Sequence, residues 1–352
     1  MTTVVDLYGV KVPALAKYKK QATCINPDLV VGFELETERC EHKDEEAWER
    51  GARVFNYQVK TDGSLRGVAY EFISRPMRSA DALAATAEFL HWAEFTDENY
   101  SDRCSIHVHV NCTDLEMSHI ASLALLYTLA EETIFEFVGN DRDNNIYCIP
   151  WNQCRQHFDL VYGMLNNPSQ TLKRWSKYTA LNILPLSTLG TVEFRQMHGT
   201  ADMEKITTWV NIIGALTKMA KQVPLNELIE EIKLLNTNSQ YEAFFNRMFG
   251  GQLPYTDAYK EKMEAGVIFA KYSLISMVSK KPPAKNNYYT VEIPAMEPMD
   301  LEANPAVNQR IQIAPHGVWA RAAAAAPRRA AEVRRDNVAI GELLAQMQRT
   351  NN

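Results

Sequence analysis

The sequence predicts an α+β fold, a β-sheet covered by helices on one side and open on the other. Three observations lead there. Short strand-like runs alternate with amphipathic helical stretches from Leu29 to about Ser279. No unit repeats with the period of roughly 20–50 residues that marks solenoids and propellers. Five strand-like runs set Glu, Asp, His, Arg or Asn opposite an apolar face, whereas independently solvated faces would favour Lys and Thr.

Taken in order, the first strand is Val30-Val31-Gly32-Phe33-Glu34-Leu35-Glu36. Residues two apart share a face, so Val31, Phe33 and Leu35 point one way while Glu34 and Glu36 point the other. The two glutamate Cα atoms would lie ~7 Å apart. Carboxylates converging to ~4 Å repel by about 4 kcal/mol at an effective dielectric of about 20, so this strand calls for a nearby positive charge. The alternative is a polar face turned to water, as antiparallel sheets often have. Next, Lys60-Thr61-Asp62-Gly63-Ser64-Leu65 contains an Asp-Gly turn, with Asp62 as turn residue or ligand. It leads into Val68-Ala69-Tyr70-Glu71-Phe72-Ile73-Ser74, where Glu71 sits between two aromatics as a further ligand candidate. A helix over Ala80 to Phe95 follows, capped by Ser79.

The strand Cys104 to Asn111 places Ile106, Val108 and Val110 on one face and Ser105, His107, His109 and Asn111 on the other. Two histidines on one strand face suit metal or phosphate, although imidazoles also sit hydrogen-bonded on ordinary sheets. A helix over Met117 to Val138 is opened by Thr113 or Ser118. In Lys177 to Ile183, Asn182 either meets substrate or caps the strand end. In Gly190 to Gln196, Val192 and Phe194 look inward while Glu193 and Arg195 project together. They form a plain ion pair or, in a phosphate site, a metal carboxylate beside a guanidinium that forks onto a phosphoryl oxygen as Lys cannot. Helices over Asp202 to Lys221 and Asn226 to Asn236 close the pattern.

After Lys280 the character changes. Pro282, Pro283, Pro294, Pro298, Pro305, Pro315 and Pro327 argue against long helices and central strands. The chain is expected to divide into a catalytic domain (1–279), a Pro-rich linker or wrapping arm (280–318) and an Ala/Arg-rich helical tail (319–352). The tail carries Ala322 to Ala326, then Arg328, Arg329, Arg334 and Arg335, then the amphipathic stretch Val338 to Met347. It reads as a solvated helix, a docking helix for a partner protein or a second copy, or a weak nucleic-acid arm.

Composition removes several classes. Hydrophobic residues at 46% and charged residues at 23% support a folded interior. A net charge of −6 supplies no basic field to displace phosphate counterions, which argues against nucleic acid as a partner outside the tail. Asp6, Lys11, Lys17, Lys19 and Lys20 break up the first residues, so neither a signal h-region nor a span of ~18 apolar residues occurs there. A cytoplasmic location without membrane contact is expected. The cysteines (Cys24, Cys40, Cys104, Cys112, Cys148, Cys154) form no CxxC pair and read as reduced thiols.

The chemistry follows from the inventory. No GxxxxGK[ST], GxGxxG or GxSxG occurs, which removes P-loop, Rossmann and serine-nucleophile readings. Oxygen-rich ligands without Cys suit Mg²⁺ or Mn²⁺ over structural zinc. Carboxylates, imidazoles and Arg195 fit metal-assisted phosphoryl transfer, in which a carboxylate substrate attacks the γ-phosphorus and an amine then displaces phosphate. The same residues would also serve a metal-dependent hydrolase. A non-catalytic assembly or virion-associated protein retaining the fold is the third reading, though it would be expected to lose ligands that this sequence keeps.

Gly32-Phe33-Glu34-Leu35-Glu36, Asp62-Gly63-Ser64 with Glu71-Phe72-Ile73-Ser74, Ser105-Ile106-His107-Val108-His109 and Thr191-Val192-Glu193-Phe194-Arg195, in that order, resemble the amidoligase family. This is a branch of the glutamine synthetase and γ-glutamylcysteine synthetase group of carboxylate-amine ligases. The resemblance covers roughly Val30 to Gly214; Arg75 stands where relatives often read Ser-Pro without interruption, and nothing beyond about Phe249 matches. It implies an antiparallel sheet packed by helices, as in the glutamine synthetase catalytic domain, with ATP and Mg²⁺ (or Mn²⁺) on the concave face. It implies that Glu34, Glu36, Asp62, Glu71, His107 and Glu193 hold metal, that His109 lies near the nucleotide, and that Arg195 binds phosphate. Ser105 and Asn182 join His109 and Arg195 as candidate cofactor contacts, and Arg195, Glu193 and Glu36 are the candidate catalytic residues. The substrates implied are a carboxylate and an amine, a peptide or amino compound. Members are frequent in phages, for which the host cytoplasm is the implied location.

Overall fold

The computed structural model describes residues 2–279 except 140, 141, 155 and 156. The expected Pro-rich arm and Ala/Arg-rich tail lie outside the described residues. Among the described residues, seven strands form one antiparallel sheet: β1 (Val30–Thr37), β2 (Tyr57–Lys60), β3 (Tyr70–Ser74), β4 (Met77–Arg78), β5 (Ser105–Asn111), β6 (Leu181–Asn182) and β7 (Thr191–His198). They run across the sheet as β2-β3-β1-β5-β7-β6, with the short β4 also paired to β1. The helices are α1 (Val4–Tyr8), α2 (Glu45–Val54), α3 (Ser79–Ala93), α4 (Met117–Val138), α5 (Leu160–Asn166), α6 (Pro168–Lys173), α7 (Met203–Gln222), α8 (Leu225–Leu234), α9 (Asn238–Met248) and α10 (Asp257–Ser279). The α+β fold with an antiparallel sheet is therefore as expected.

Alternation in β1, β5 and β7 decides which face is covered. Val31, Phe33, Leu35, Ile106, Val108, Val110, Val192 and Phe194 are all buried. A fully buried side chain of this size stabilises by about 1.5–3 kcal/mol, so the apolar stripe fixes the side on which helices pack. Ring contacts show it directly: Trp48 of α2 and Phe89 of α3 lie 5.3 and 4.9 Å from Phe72 of β3, and Tyr127 of α4 and Trp209 of α7 lie 6.1 and 6.0 Å from Phe194 of β7. α4 is buried nearly all round, because α10 covers its outer side. That approach needs a glycine, since a Cβ at Gly266 would meet the Leu129 carbonyl oxygen at 2.0 Å.

Several boundaries differ from expectation, each for a local reason. α3 starts at Ser79 itself, whose hydroxyl donates to the Asn26 carbonyl (2.6 Å) and caps nothing. It ends at Ala93 because Glu94 turns left-handed at φ 58°. α4 is entered through Glu116, whose amide donates to His119 Nδ1 (3.2 Å), so neither Thr113 nor Ser118 is the cap. Asp202 does cap α7, accepting from the amides of Glu204 (2.9 Å) and Lys205 (3.1 Å). α8 opens at Pro224 and stops at Leu234, two residues short of Asn236. No helix among the described residues is long and apolar enough to cross a membrane.

Candidate active site

On the open face, strand register sets the polar residues side by side. Glu34 lies across from His107, Glu36 across from Glu71, and His109 across from Glu193. Directly opposed side chains are about 4.5–5.5 Å apart at Cβ, so pairing alone gathers them into two groups. Glu34, His107 and Glu193 have ligand atoms within 4.8 Å of one another, and so do Glu36, Asp62 and Glu71. Every site residue expected from the sequence lines one cavity of about 340 Å³ around these groups.

In the first group, His107 Nδ1 faces the acids, 3.0 Å from Glu34 Oε2 and 3.3 Å from Glu193 Oε1. Its Nε2 lies 2.7 Å from the Ser105 hydroxyl. His109 sits with Nε2 3.2 Å from Glu34 Oε1 and Nδ1 3.0 Å from the Thr191 hydroxyl. Glu193 accepts from Arg195 Nη1 on one oxygen and from Asn182 Nδ2 (2.7 Å) on the other. Arg195 also donates from Nε to the Tyr147 carbonyl (3.2 Å). In the second group, Glu36 accepts the Ser105 amide (2.9 Å) and hydroxyl, and Asp62 accepts the Ser64 amide (2.6 Å) in its turn.

The charges respond to these neighbours. Burial would push the Glu34 carboxyl up, but hydrogen bonds and charge from His107 and His109 outweigh it and hold the group well below the usual carboxylate range. Burial would likewise lower His109, yet the Glu34 hydrogen bond and the charge of Glu193 raise it. Glu71 is pushed up to about 8, first by burial and then by the charges of Glu34, Glu36 and Asp62. Two acids of one cavity are thus shifted in opposite directions, a pattern common at functional sites.

Residues beyond the sequence expectation complete the wall. Arg103, Arg142, Asn145, Tyr147, Lys177 and Tyr178 line the same cavity. Lys177 and Tyr178 belong to the run in which only Asn182 is a sequence candidate; Arg142 and Tyr147 lie in an irregular segment with no periodicity to expose them. Asn111 instead borders a neighbouring cavity of about 550 Å³ that shares Glu34 and His109 with the first. Val30, Gly32 and Ile73 floor this second space, and the segment from Tyr8 to Pro13 walls it. Gly32 keeps it open, since a Cβ there would come no closer than 3.9 Å to a neighbour and would only fill the void.

A family model described as "Putative amidoligase enzyme" matches residues 29–217, more than half of the chain. The match spans β1 through most of α7 and so contains both carboxylate groups and Arg195. No curated protein matches this sequence. From the extent of that match, together with the four ordered motifs that face one cavity, the chain belongs to the putative amidoligase enzyme family.

Proposed function

We propose that this protein is an ATP-dependent carboxylate-amine ligase working with Mg²⁺ or Mn²⁺. The observation that carries the reading is the pair of ligand groups in one cavity, with a guanidinium bonded to one of them. The donor sets fit hard divalent cations: two carboxylates and an imidazole in one, three carboxylates in the other. Glu34, His107 and Glu193 would hold one ion and Glu36, Asp62 and Glu71 the second. Bound there, such ions supply charge neutralisation across the nucleotide phosphates.

The chain's own residues do the rest. Arg195 turns its guanidinium toward the transferring phosphoryl group, where a planar fork stabilises charge that develops on equatorial oxygens. Asn182 and Ser105 act through the carboxylates they hold, keeping Glu193 and Glu36 aimed into the cavity. The apolar cavity beside His109 offers the nucleoside a compartment, which leaves the polar end near Arg103 and Lys177 for the acid. The carboxylate oxygen attacks the γ-phosphorus, ADP departs, and an amine then attacks the acyl carbon and expels phosphate. The protein supplies position and electrostatics, and the substrates supply the bonds.

Incubation with ATP, Mg²⁺, a panel of carboxylates and hydroxylamine tests this, because hydroxylamine traps an acyl phosphate whatever the natural amine is. Hydroxamate formed together with ADP is the expected result. Magnesium-dependent ATP binding should be measured alongside. Absence of that binding would sink the reading, and hydrolysis of a substrate without ATP would favour a metal-dependent hydrolase.

A further inference from the structure

Arg195 enters the cavity from an irregular stretch of the sheet. Ile106 pairs with Met197 and Val108 with Phe194, so β7 has two residues, Arg195 and Gln196, where β5 has only His107. A bulge of this kind re-aims side chains and interrupts the ladder, so the direction of Arg195 must be fixed by groups outside the ladder. Two sets of buried groups do this from opposite sides.

From one side, Arg142, 3% exposed, donates Nη2 to the carbonyl of Arg195 (3.2 Å) and Nε to that of Gln196 (3.0 Å). From the helical side, the fully buried Gln196 donates Nε2 to the Tyr127 hydroxyl, which donates to Glu131 Oε1 (2.9 Å). Glu131 in turn accepts the amides of Trp151 (2.6 Å) and Asn152 (3.1 Å). Those amides end the same segment that carries Arg142 and Tyr147, and the Tyr147 carbonyl accepts Arg195 Nε. The bonds therefore close a ring. Glu131 anchors the segment, the segment clamps the bulge backbone and the Arg195 side chain, and the bulge returns to Glu131 through Gln196 and Tyr127. Buried polar groups are costly unless paired, so the bonds made here favour one arrangement of the bulge, although Gln196 Oε1 has no hydrogen-bond partner.

We propose that Glu131, Tyr127, Gln196 and Arg142 are positioning residues that set the Arg195 guanidinium against the terminal phosphate of the nucleotide. This rests on the ligase reading above. It makes preference for a triphosphate over a diphosphate depend on a hydroxyl buried on the far side of the sheet.

The test is a double-mutant cycle on the full chain, read by binding of a non-hydrolysable ATP analogue and of ADP, each with Mg²⁺. Tyr127→Phe keeps the ring packing and removes only the relay. It should weaken the ATP analogue by about 5- to 30-fold while ADP binding changes by less than about 2-fold, a range set by coupling between contacting residues. In an Arg195→Ala background the same change should have no further effect on the analogue. Arg142→Lys, which attacks the clamp from the other side, should behave alike and serves if Tyr127→Phe fails to fold. Equal losses for both nucleotides, or undiminished losses in the Arg195→Ala background, would reduce the network to a structural role and overturn the proposal. If Arg195→Ala alone keeps the wild-type preference, the phosphate role of Arg195 fails first and the positioning proposal falls with it.

Discussion

Around Glu34 and Glu193 the neighbours are two imidazoles and the Arg195 guanidinium, all in direct contact. Around Glu36, Asp62 and Glu71 the donors are neutral: an amide and a hydroxyl from Ser105, and an amide from Ser64. Glu34 is accordingly held well below its ordinary range, while Glu71 is pushed up to about 8. The first group is tied together by contacts within the protein, from His107, His109 and Arg195 to Glu34 and Glu193. The second is a crowd of like charges, in which the charge of Lys60 offsets only part of the upward push on Glu71. Two groups of equal size in one cavity therefore differ in what surrounds their acids: one is held by imidazoles and a guanidinium, the other by amides and a hydroxyl.

The largest effect should come from breaking the first group. Glu34→Ala removes the acceptor shared by His107 and His109 and should lower turnover by at least ~10³-fold, as removal of preorganised electrostatic contacts does. Arg195→Lys keeps the charge and loses the fork, with an expected loss of ~10²-fold or more. Steady-state assays on the hydroxamate reaction check both; near-normal rates in Arg195→Lys would refute the phosphate role. Glu193→Ala carries an added cost. Glu193 is 4% exposed, so its removal strands Arg195 and Asn182 and should destabilise by about 3–5 kcal/mol in denaturant titrations.

The second group should respond with the opposite sign. A carboxyl whose folded pKa is raised costs stability at neutral pH, whereas one whose folded pKa is lowered adds it. In chelator-treated protein, Glu71→Gln should therefore raise the melting temperature by ~2–5 °C, and Glu34→Gln should lower it. With Mn²⁺ present, Glu71→Gln should bind one ion where the wild type binds two, counted by electron paramagnetic resonance. Melting shifts of the same sign in both variants would erase the distinction between the groups.

Much of this contrast is legible in the chain because strand alternation is a local property. The pleat alone puts Glu34 with Glu36 and His107 with His109 on the polar faces of β1 and β5. What joins them is register, which is set by partners far away in sequence, and the grouping into Glu34 with His107 but Glu36 with Glu71 could not be read in advance. The bulge is hidden for the same reason: Gly190 to Gln196 alternates without a break, and only the pairing of Met197 with Ile106 reveals the extra residue. Arg142 lacks any periodic context, and its importance lies in carbonyls it reaches across the fold. Helix caps misled where a serine was near but its hydroxyl was taken by a neighbour, as Ser79 is by Asn26.

A third acid separates burial from crowding and gives the smallest effect. Glu131 is pushed up to about 8 by burial, opposed by the amides of Trp151 and Asn152 and by the Tyr127 hydroxyl, and helped by the charge of Glu132. Its folded pKa lies above the unfolded value of about 4.3, so the folded state binds this proton more tightly. The resulting stability is fully present below that unfolded value and is lost as pH rises through about 8. Wild type should thus lose stability between about pH 5 and pH 8 relative to Glu131→Gln, followed by urea midpoints at stepped pH. Because Glu131 sits on the helical side of the sheet, away from the ligand groups, added Mg²⁺ should leave this difference unchanged. A pH dependence that vanishes with Mg²⁺ would mean that the titrating acid is one of the carboxylates on the open face.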